Sequence, residues 1–180
     1  MINKSLKLIN IGNLVSYNSK KEAMVSKKDL EIVIKNGKII EIGKCLNDAD
    51  KIYDCENKLV TPGFIDCHTH PVFFGDRSKE FEMRIKGKSY EQIAQNGGGI
   101  NNSVKTLRES TFDELKQKVH TRMDTFLRLG TTTIEAKSGY GLNLDSELKS
   151  LEVLDYINSN HEIDIISTFM GAHATPKEYE

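Results

Sequence analysis

The spacing of apolar positions changes partway along the chain. In the first part, apolar residues come in short runs of β type, and the clearest runs lie at 30–35 and 38–42. These runs flank Asn36-Gly37, a pair typical of the type I′ hairpin turn, because that turn needs positive φ at both central residues. Residues 1–58 are therefore predicted to form a small all-β region.

The remainder of this region has a weaker pattern. Residues 6–11 alternate imperfectly between apolar and polar and predict a first strand, and a further strand is expected around Ile52-Tyr53. Residues 16–29 are polar and are predicted to form a loop between strands. No residue here suggests chemistry, so we assign the region a structural role.

The second part of the chain alternates between strand and helix patterns. Three short apolar runs have the character of buried strands: 64–68, 131–136 and 163–170. Two longer segments carry apolar residues at three- and four-residue spacing, as amphipathic helices do: 112–129 and 145–158. Two shorter helices are also expected: 79–86 and 89–95. This order is typical of a parallel α/β fold.

Local signals mark some of the boundaries. Thr111 and Glu114 form a capping-box pattern at the start of the helix over 112–129, and Gly130 predicts its end. Residues 96–99 contain three consecutive glycines, which resist regular structure and predict a flexible loop.

Polar side chains follow all three predicted strands of this second part. His68 and His70 end the first strand, Lys137 and Tyr140 follow the second, and His173 follows the third. Residues i and i+2 of a strand point to the same face, so the first two imidazoles can reach one metal ion. The alternative is a strand end with two solvated histidines. In α/β barrels the site is built from the loops after the strands, which favours the metal site.

Composition limits the class of protein. Of 180 residues, 38% are hydrophobic and 28% charged, and the net charge of −1 comes without a basic stripe, so we expect no nucleic-acid partner. No segment approaches the length of a membrane span, and the N-terminus lacks the apolar core of a signal peptide. Cys45, Cys55 and Cys67 form no CxxC pair, which indicates a reducing compartment and a cytoplasmic location.

Several motifs resemble those of a known family. Residues 62–70, Pro-Gly-Phe-Ile-Asp-Cys-His-Thr-His, resemble the amidohydrolase superfamily of metal-dependent hydrolases. Gly-Gly-Gly-Ile at 97–100, Lys-Ser-Gly-Tyr-Gly-Leu at 137–142 and Gly-Ala-His-Ala at 171–174 are similar, more narrowly, to the imidazolonepropionase family. The segment 81–84 adds to the resemblance, which extends over nearly the whole chain.

The resemblance implies an α/β fold: the first part of a metal-dependent hydrolase (β/α)8 TIM barrel, preceded by part of a small β-sandwich domain. Residues 1–58 then belong to the sandwich and residues 59–180 to the first β/α units of the barrel. Because such a barrel takes about 250 residues, we expect an N-terminal fragment. The family's remaining metal ligands and its catalytic glutamate would then follow residue 180.

The resemblance also implies an activity, the hydrolysis of the cyclic amide of 4-imidazolone-5-propanoate to N-formimidoyl-L-glutamate in histidine degradation. One divalent or trivalent metal ion, Zn or Fe, would be held in part by His68 and His70. His173 would be catalytic and would help to handle the oxyanion. Four side chains would contact substrate: Arg77, Tyr90, Tyr140 and His173. Of these, Arg77 suits the propionate, because guanidinium pairs with carboxylate through two donors.

Two alternatives stay open. The first is another amidohydrolase of dihydroorotase-like or deaminase-like type, and the second is an inactive fragment or metal-binding module. The expected partners are a small-molecule substrate and, for the full-length protein, a second copy in a homodimer, with no nucleic acid and no membrane. Lys137 is not expected to be a carboxylated metal bridge, and His120 and His161 are assigned no role.

Overall fold

A computed structural model describes residues 5–95, 98–176 and 178. The chain divides into two compact units, Met1–Pro62 and Gly63–Glu180. Across the described residues, every helix is too short or too polar to cross a membrane.

The first unit consists of two small sheets. One has four strands in the order β5-β4-β1-β6, and the other has three in the order β3-β2-β7. The strands are β1 (Ser5–Ile9), β2 (Asn13–Asn18), β3 (Ala23–Lys27), β4 (Glu31–Lys35), β5 (Lys38–Gly43), β6 (Lys51–Asp54) and β7 (Leu59–Val60). Ile11, Leu14, Ile32 and Cys55 form the buried core of this unit. Because β7 pairs with β2, the unit extends past the predicted division at residues 58 and 59.

The hairpin prediction is confirmed, whereas the predicted loop at 16–29 is wrong. Asn36 and Gly37 join β4 to β5, and their φ angles of 52° and 73° are both positive. The supposed loop instead contributes to the antiparallel pair of β2 and β3. Within 16–29, the paired residues Tyr17 and Met24 are 60% and 63% exposed, so this part of the sequence shows no clear buried apolar face.

The second unit is a parallel sheet with helices, and the predicted α/β order is confirmed. Its strands are β8 (Phe64–Thr69), β9 (Thr131–Lys137) and β10 (Asp164–Thr168), arranged β10-β9-β8. Its helices are α1 (Ser78–Ile85), α2 (Tyr90–Gln95), α3 (Ile100–Glu109), α4 (Phe112–Arg128) and α5 (Leu144–Asn160).

The main core lies between this sheet and the long helices α4 and α5. Leu115, Val119 and Met123 of α4 are fully buried against Ile134 of β9 and Leu154 of α5. At about 25 cal/mol per Å² of apolar surface removed from water, burial of side chains of this size is worth about 1.5–3 kcal/mol each. The periodicity of the two helices therefore reflects the principal stabilising contacts of the unit.

The capping box at the start of α4 is confirmed. The Thr111 backbone N–H donates to the Glu114 carboxylate at 2.8 Å, and the Glu114 N–H donates to the Thr111 hydroxyl at 3.3 Å. Helix α3, in contrast, was not predicted. It buries only Val104 and Leu107, and two apolar positions are too few to produce a recognisable period.

The two faces of the parallel sheet differ in their side chains. Along β9, Ile134 and Ala136 are buried toward the helices, whereas Glu135 and Lys137 alternate onto the other face. On that other face, Ile166 of β10 lies in register with Glu135 and is 61% exposed. The helices α4 and α5 therefore cover one face, and the second face keeps exposed apolar surface.

Candidate active site

His68 and His70 lie where β8 ends. A register shift between Asp66 and Thr69 marks this end of the strand, and the Asp66 carboxylate accepts the His68 backbone N–H at 3.2 Å. The two imidazole centroids are 5.7 Å apart with the rings at 63°. Both predicted ligands are thus at the carboxyl edge of the sheet and close enough to converge on one ion.

The ring of His70 is oriented by the loop after β9. Its Nδ1 lies 3.2 Å from the Ser138 carbonyl oxygen, and because a carbonyl can only accept, Nδ1 carries the proton. The lone pair is then on Nε2, the arrangement that metal-binding histidines usually adopt. Burial lowers the pKa of His70, and the neighbouring His173 acts in the same direction. His70 is therefore held as a neutral imidazole, the form that binds a metal.

His173 follows β10 and packs directly on His70. The two rings are stacked, with centroids 4.8 Å apart and an interplanar angle of 19°. The His173 Nδ1 lies 2.9 Å from the Gly139 carbonyl oxygen, which can only accept, so this nitrogen also carries a proton. Gly139 has φ of +109°, and a Cβ there would lie 3.0 Å from the His173 ring. Glycine is therefore needed here because the φ angle is positive and because a side chain would collide with the His173 ring.

Tyr140 lies beside both imidazoles. Its ring centroid is 5.3 Å from that of His70 and 5.4 Å from that of His173. The structure thus brings together one predicted site residue after each of the three strands.

A buried carboxylate that sequence reasoning missed shapes the loop that carries Tyr140. Glu147, in the first turn of α5, is 2% exposed. Its two oxygens accept N–H groups from Gly139 at 2.7 Å, Gly141 at 2.7 Å and Leu142 at 2.8 Å. The sequence signal for this role is an acidic residue in the first turn of a helix that follows a glycine-rich loop.

Arg77 lines the same cavity as His70. The cavity measures 310 Å³, and His70, Arg77, Tyr140 and Asn102 are among its lining residues. The Arg77 guanidinium donates through Nε and Nη2 to the same oxygen of Glu80, at 2.7 Å and 2.6 Å. The second oxygen of Glu80 accepts the Gly99 N–H at 3.0 Å. Arg77, which precedes α1, is therefore held at the cavity by a buried acid in the first turn of that helix.

Two further predictions concern Tyr90 and Lys137. The side chain of Tyr90 lies outside the described residues, although its backbone begins α2. The Lys137 ammonium forms an ion pair with Glu135, two residues earlier on β9. Burial opposes ionisation of Glu135 most strongly, but hydrogen bonds from Lys137, Thr168 and the Thr69 backbone, together with the Lys137 charge, outweigh it and lower the pKa of the carboxyl.

Several curated proteins with similar sequences are named imidazolonepropionase. The chain is 49% identical over 160 residues to an imidazolonepropionase of Clostridium tetani, covering 84% of this chain and 38% of that protein. It is 54% identical over 130 residues to that of Brevibacillus brevis, covering 72% and 31%. For the Photobacterium profundum protein the identity is 43% over 186 residues, covering 98% and 45%. Over most of its length, the chain is therefore similar in sequence to imidazolonepropionases.

The chain spans less than half the length of these imidazolonepropionase relatives. No protein-family profile matches it.

Several solved structures of hydrolases have a similar fold. A triazine hydrolase variant superposes with a TM-score of 0.62 at 16% identity, covering 92% of this chain and 35% of the other. An atrazine chlorohydrolase from Arthrobacter aurescens, solved in complex with zinc, superposes with a TM-score of 0.52 at 14% identity, covering 91% and 35%. At these identities the likeness concerns the fold alone.

Proposed function

We propose that the full-length protein is an imidazolonepropionase. It would hydrolyse the cyclic amide of 4-imidazolone-5-propanoate to N-formimidoyl-L-glutamate, a step of histidine degradation. The observation that supports this most directly is the identity of 43–54% to curated imidazolonepropionases over most of the chain. The cysteines, which are all free, further support a cytoplasmic location.

The fold of the full-length protein follows from the same proposal. The sheet β8-β9-β10 with α4 and α5 corresponds to the first β/α units of a (β/α)8 barrel, and its open face is the inner face of that barrel. Supporting this, Ile65 and Ile166 on the open face are 72% and 61% exposed, which is costly unless further strands cover them. The two sheets of the first unit would be part of a small β-sandwich.

One metal ion, Zn or Fe, would be held in part by His68 and His70. The residues present fit such an ion, because the Nδ1 of His70 donates to Ser138 and leaves its Nε2 lone pair facing away from that carbonyl. A bound ion supplies an acidified water and polarises a carbonyl oxygen. Zinc in the atrazine chlorohydrolase complex makes that metal a reasonable candidate.

The other site residues would bind and orient the substrate. Arg77 provides positive charge at the cavity for the propionate, and Glu80 fixes the plane of its guanidinium. Tyr140 offers a hydroxyl beside the two imidazoles, and Tyr90 is proposed from the resemblance alone. His173, stacked on His70, would contact the oxyanion that develops at the ring carbonyl, a role that needs a proton on Nε2 in addition to the one that Nδ1 donates to Gly139.

The test is turnover by the purified full-length protein. It should hydrolyse 4-imidazolone-5-propanoate and leave a cyclic ureide and an aminopurine unchanged. Activity on the ureide or the aminopurine alone would instead favour a dihydroorotase-like or deaminase-like enzyme. No turnover of any of the three, with metal bound, would favour a metal-binding module.

A further inference from the structure

A second group of metal-binding side chains lies away from the candidate active site. His120 and Asp124 are one turn apart on α4, and His161 directly follows α5. One potential ligand atom from each of the three residues lies within 4.8 Å of the others. Sequence reasoning gave neither histidine a role, because the third residue comes from a distant segment.

This cluster is at the opposite edge of the sheet from His68 and His70. His161 precedes β10, and Asp124 lies in the last turns of α4, which leads into β9. The cluster is therefore near the amino ends of the strands, whereas His70 and His173 follow the carboxyl ends. It is independent of the proposed hydrolase site.

The distances already approach those of a coordination shell. The His120 Nδ1 lies 3.4 Å from one Asp124 oxygen, and the His161 Nε2 lies 3.2 Å from the other. Ligands bound to zinc at about 2.0–2.1 Å in a tetrahedron lie about 3.4 Å apart. The three ligand atoms lie within 4.8 Å of one another, and the His120 side chain, at 49% exposure, has room to rotate toward the ion.

The donor set suits one class of ion. Two imidazole nitrogens with one carboxylate oxygen are typical ligands of Zn²⁺ and of neighbouring divalent transition metals, and Mg²⁺ and Ca²⁺ prefer oxygen ligands. The Asp124 side chain is 60% exposed and the His161 side chain 4% exposed. An ion can thus enter from solvent and contact a buried imidazole, with its remaining positions filled by water.

We propose that His120, Asp124 and His161 form a second site for a divalent transition-metal ion, one that links α4 to the segment after α5.

Metal binding at this site should break a hydrogen bond that the Ile163 backbone N–H now makes with His161. This N–H donates to the Nδ1 of His161 at 3.2 Å, so the His161 proton is on Nε2, directed at Asp124. Coordination through Nε2 needs the other neutral tautomer. The proton therefore moves from Nε2 to Nδ1 by exchange with water, with no net release from this ring, and the Ile163 N–H loses its acceptor.

The experiment uses the full-length protein with its His68–His70 site first saturated with zinc. Further Zn²⁺ is then titrated and followed by calorimetry and by the Ile163 amide resonance in isoleucine-labelled protein. We expect about one additional equivalent and a shift of that resonance. Asp124→Asn and His120→Ala, both exposed changes, should weaken this binding by at least 10-fold, about the loss caused by removing an outer-shell partner.

Asp155→Asn is the matched control, because it removes an exposed carboxylate from α5 outside the cluster. It should leave the additional equivalent unchanged. Equal binding by all three variants, or no additional equivalent in the unsubstituted protein, would overturn the proposal and leave the cluster as a hydrogen-bonded contact between helices. Zinc binding without a shift at Ile163 would exclude His161 as a ligand and would also overturn it.

Discussion

Arg77 donates two N–H groups to a single oxygen of Glu80, one turn later on α1. The Glu80 side chain is only 9% exposed, while that of Arg77 is half exposed toward the cavity that contains His70. A buried acid thus fixes an accessible cation in place, and this arrangement suits the binding of an anionic group on a substrate.

Replacing Arg77 with Ala in the full-length protein should therefore raise KM for the propionate-bearing substrate by about 10- to 100-fold. That range corresponds to a charged hydrogen bond worth about 1.5–3 kcal/mol. The kcat should change much less, because the lost contact is remote from the reacting carbonyl. Steady-state kinetics measures both quantities.

Two variants separate this effect from damage to the fold. Lys79→Ala removes a neighbouring exposed cation and should leave KM unchanged. Arg77→Ala alone leaves the buried Glu80 carboxylate without its cation, and adding Glu80→Gln removes that charge. The double variant should therefore regain stability, while its KM should stay as high as that of Arg77→Ala. A KM for Arg77→Ala equal to that of Lys79→Ala would show that Arg77 does not bind substrate.

Replacing Glu147 with Ala should destabilise the second unit. Three backbone N–H groups of residues 139–142 would lose their acceptor, and each buried donor without one costs about 1–3 kcal/mol. Glu147→Gln keeps one oxygen and should be intermediate. Chemical denaturation of the full-length protein gives the free energies of unfolding. Glu152→Ala, an exposed change on the same helix, is the control, and an equal effect of the two Ala variants would refute this role.

The capping box of α4 predicts a dependence of stability on pH. The backbone N–H of Thr111 and then its hydroxyl hold the pKa of Glu114 below its ordinary value of 4.5. A carboxyl with a lowered folded-state pKa contributes stability above its unfolded-state pKa, and this contribution is lost as the pH falls through the folded-state pKa. Glu114→Gln should accordingly lower Tm at pH 7 and have little effect near pH 3.

Thermal unfolding at the two pH values measures this difference. Glu109→Gln is the matched control, because Glu109 is exposed at the end of α3 and caps no helix. A Tm difference for Glu114→Gln that persists undiminished at pH 3 would contradict the electrostatic part of the explanation.

His68→Ala and His70→Ala together should remove the resident metal of the full-length protein. The double variant lacks both proposed imidazole ligands of the ion. Loss of a group that only hydrogen-bonds to a metal ligand already weakens metal binding by about 10- to 100-fold, so loss of two ligands should weaken it more. Elemental analysis after extensive dialysis measures the metal content. His120→Ala should retain the resident ion, and a content that is undiminished in the double variant would refute the role of the pair.

Much of the second unit could be predicted because burial there is one-sided and periodic. Helix α4 repeats Leu115, Val119 and Met123 on one face, and each is fully buried. The strand pair β2 and β3 was missed for the opposite reason, since Tyr17 and Met24 point mainly to solvent. Short helices such as α3 bury too few side chains to leave a period in the sequence.

The sequence predicted the candidate site residues that lie at the ends of strands. It did not predict contacts between residues that only packing brings together. His68, His70, Tyr140 and His173 follow strands, and parallel strands bring their carboxyl ends to one edge. The roles of Glu147 and of the pair His120 and His161 depend on loop geometry and on segments brought together by packing. No spacing within the sequence encodes these contacts.

The loop after β9 provides two consecutive carbonyl groups, and each orients a different histidine. Ser138 orients His70 and Gly139 orients His173. One peptide segment therefore holds a proton on the Nδ1 of both rings, those of a proposed metal ligand and of a proposed oxyanion contact. Because these carbonyls are consecutive, the orientations of both rings depend on the conformation of a single short loop segment.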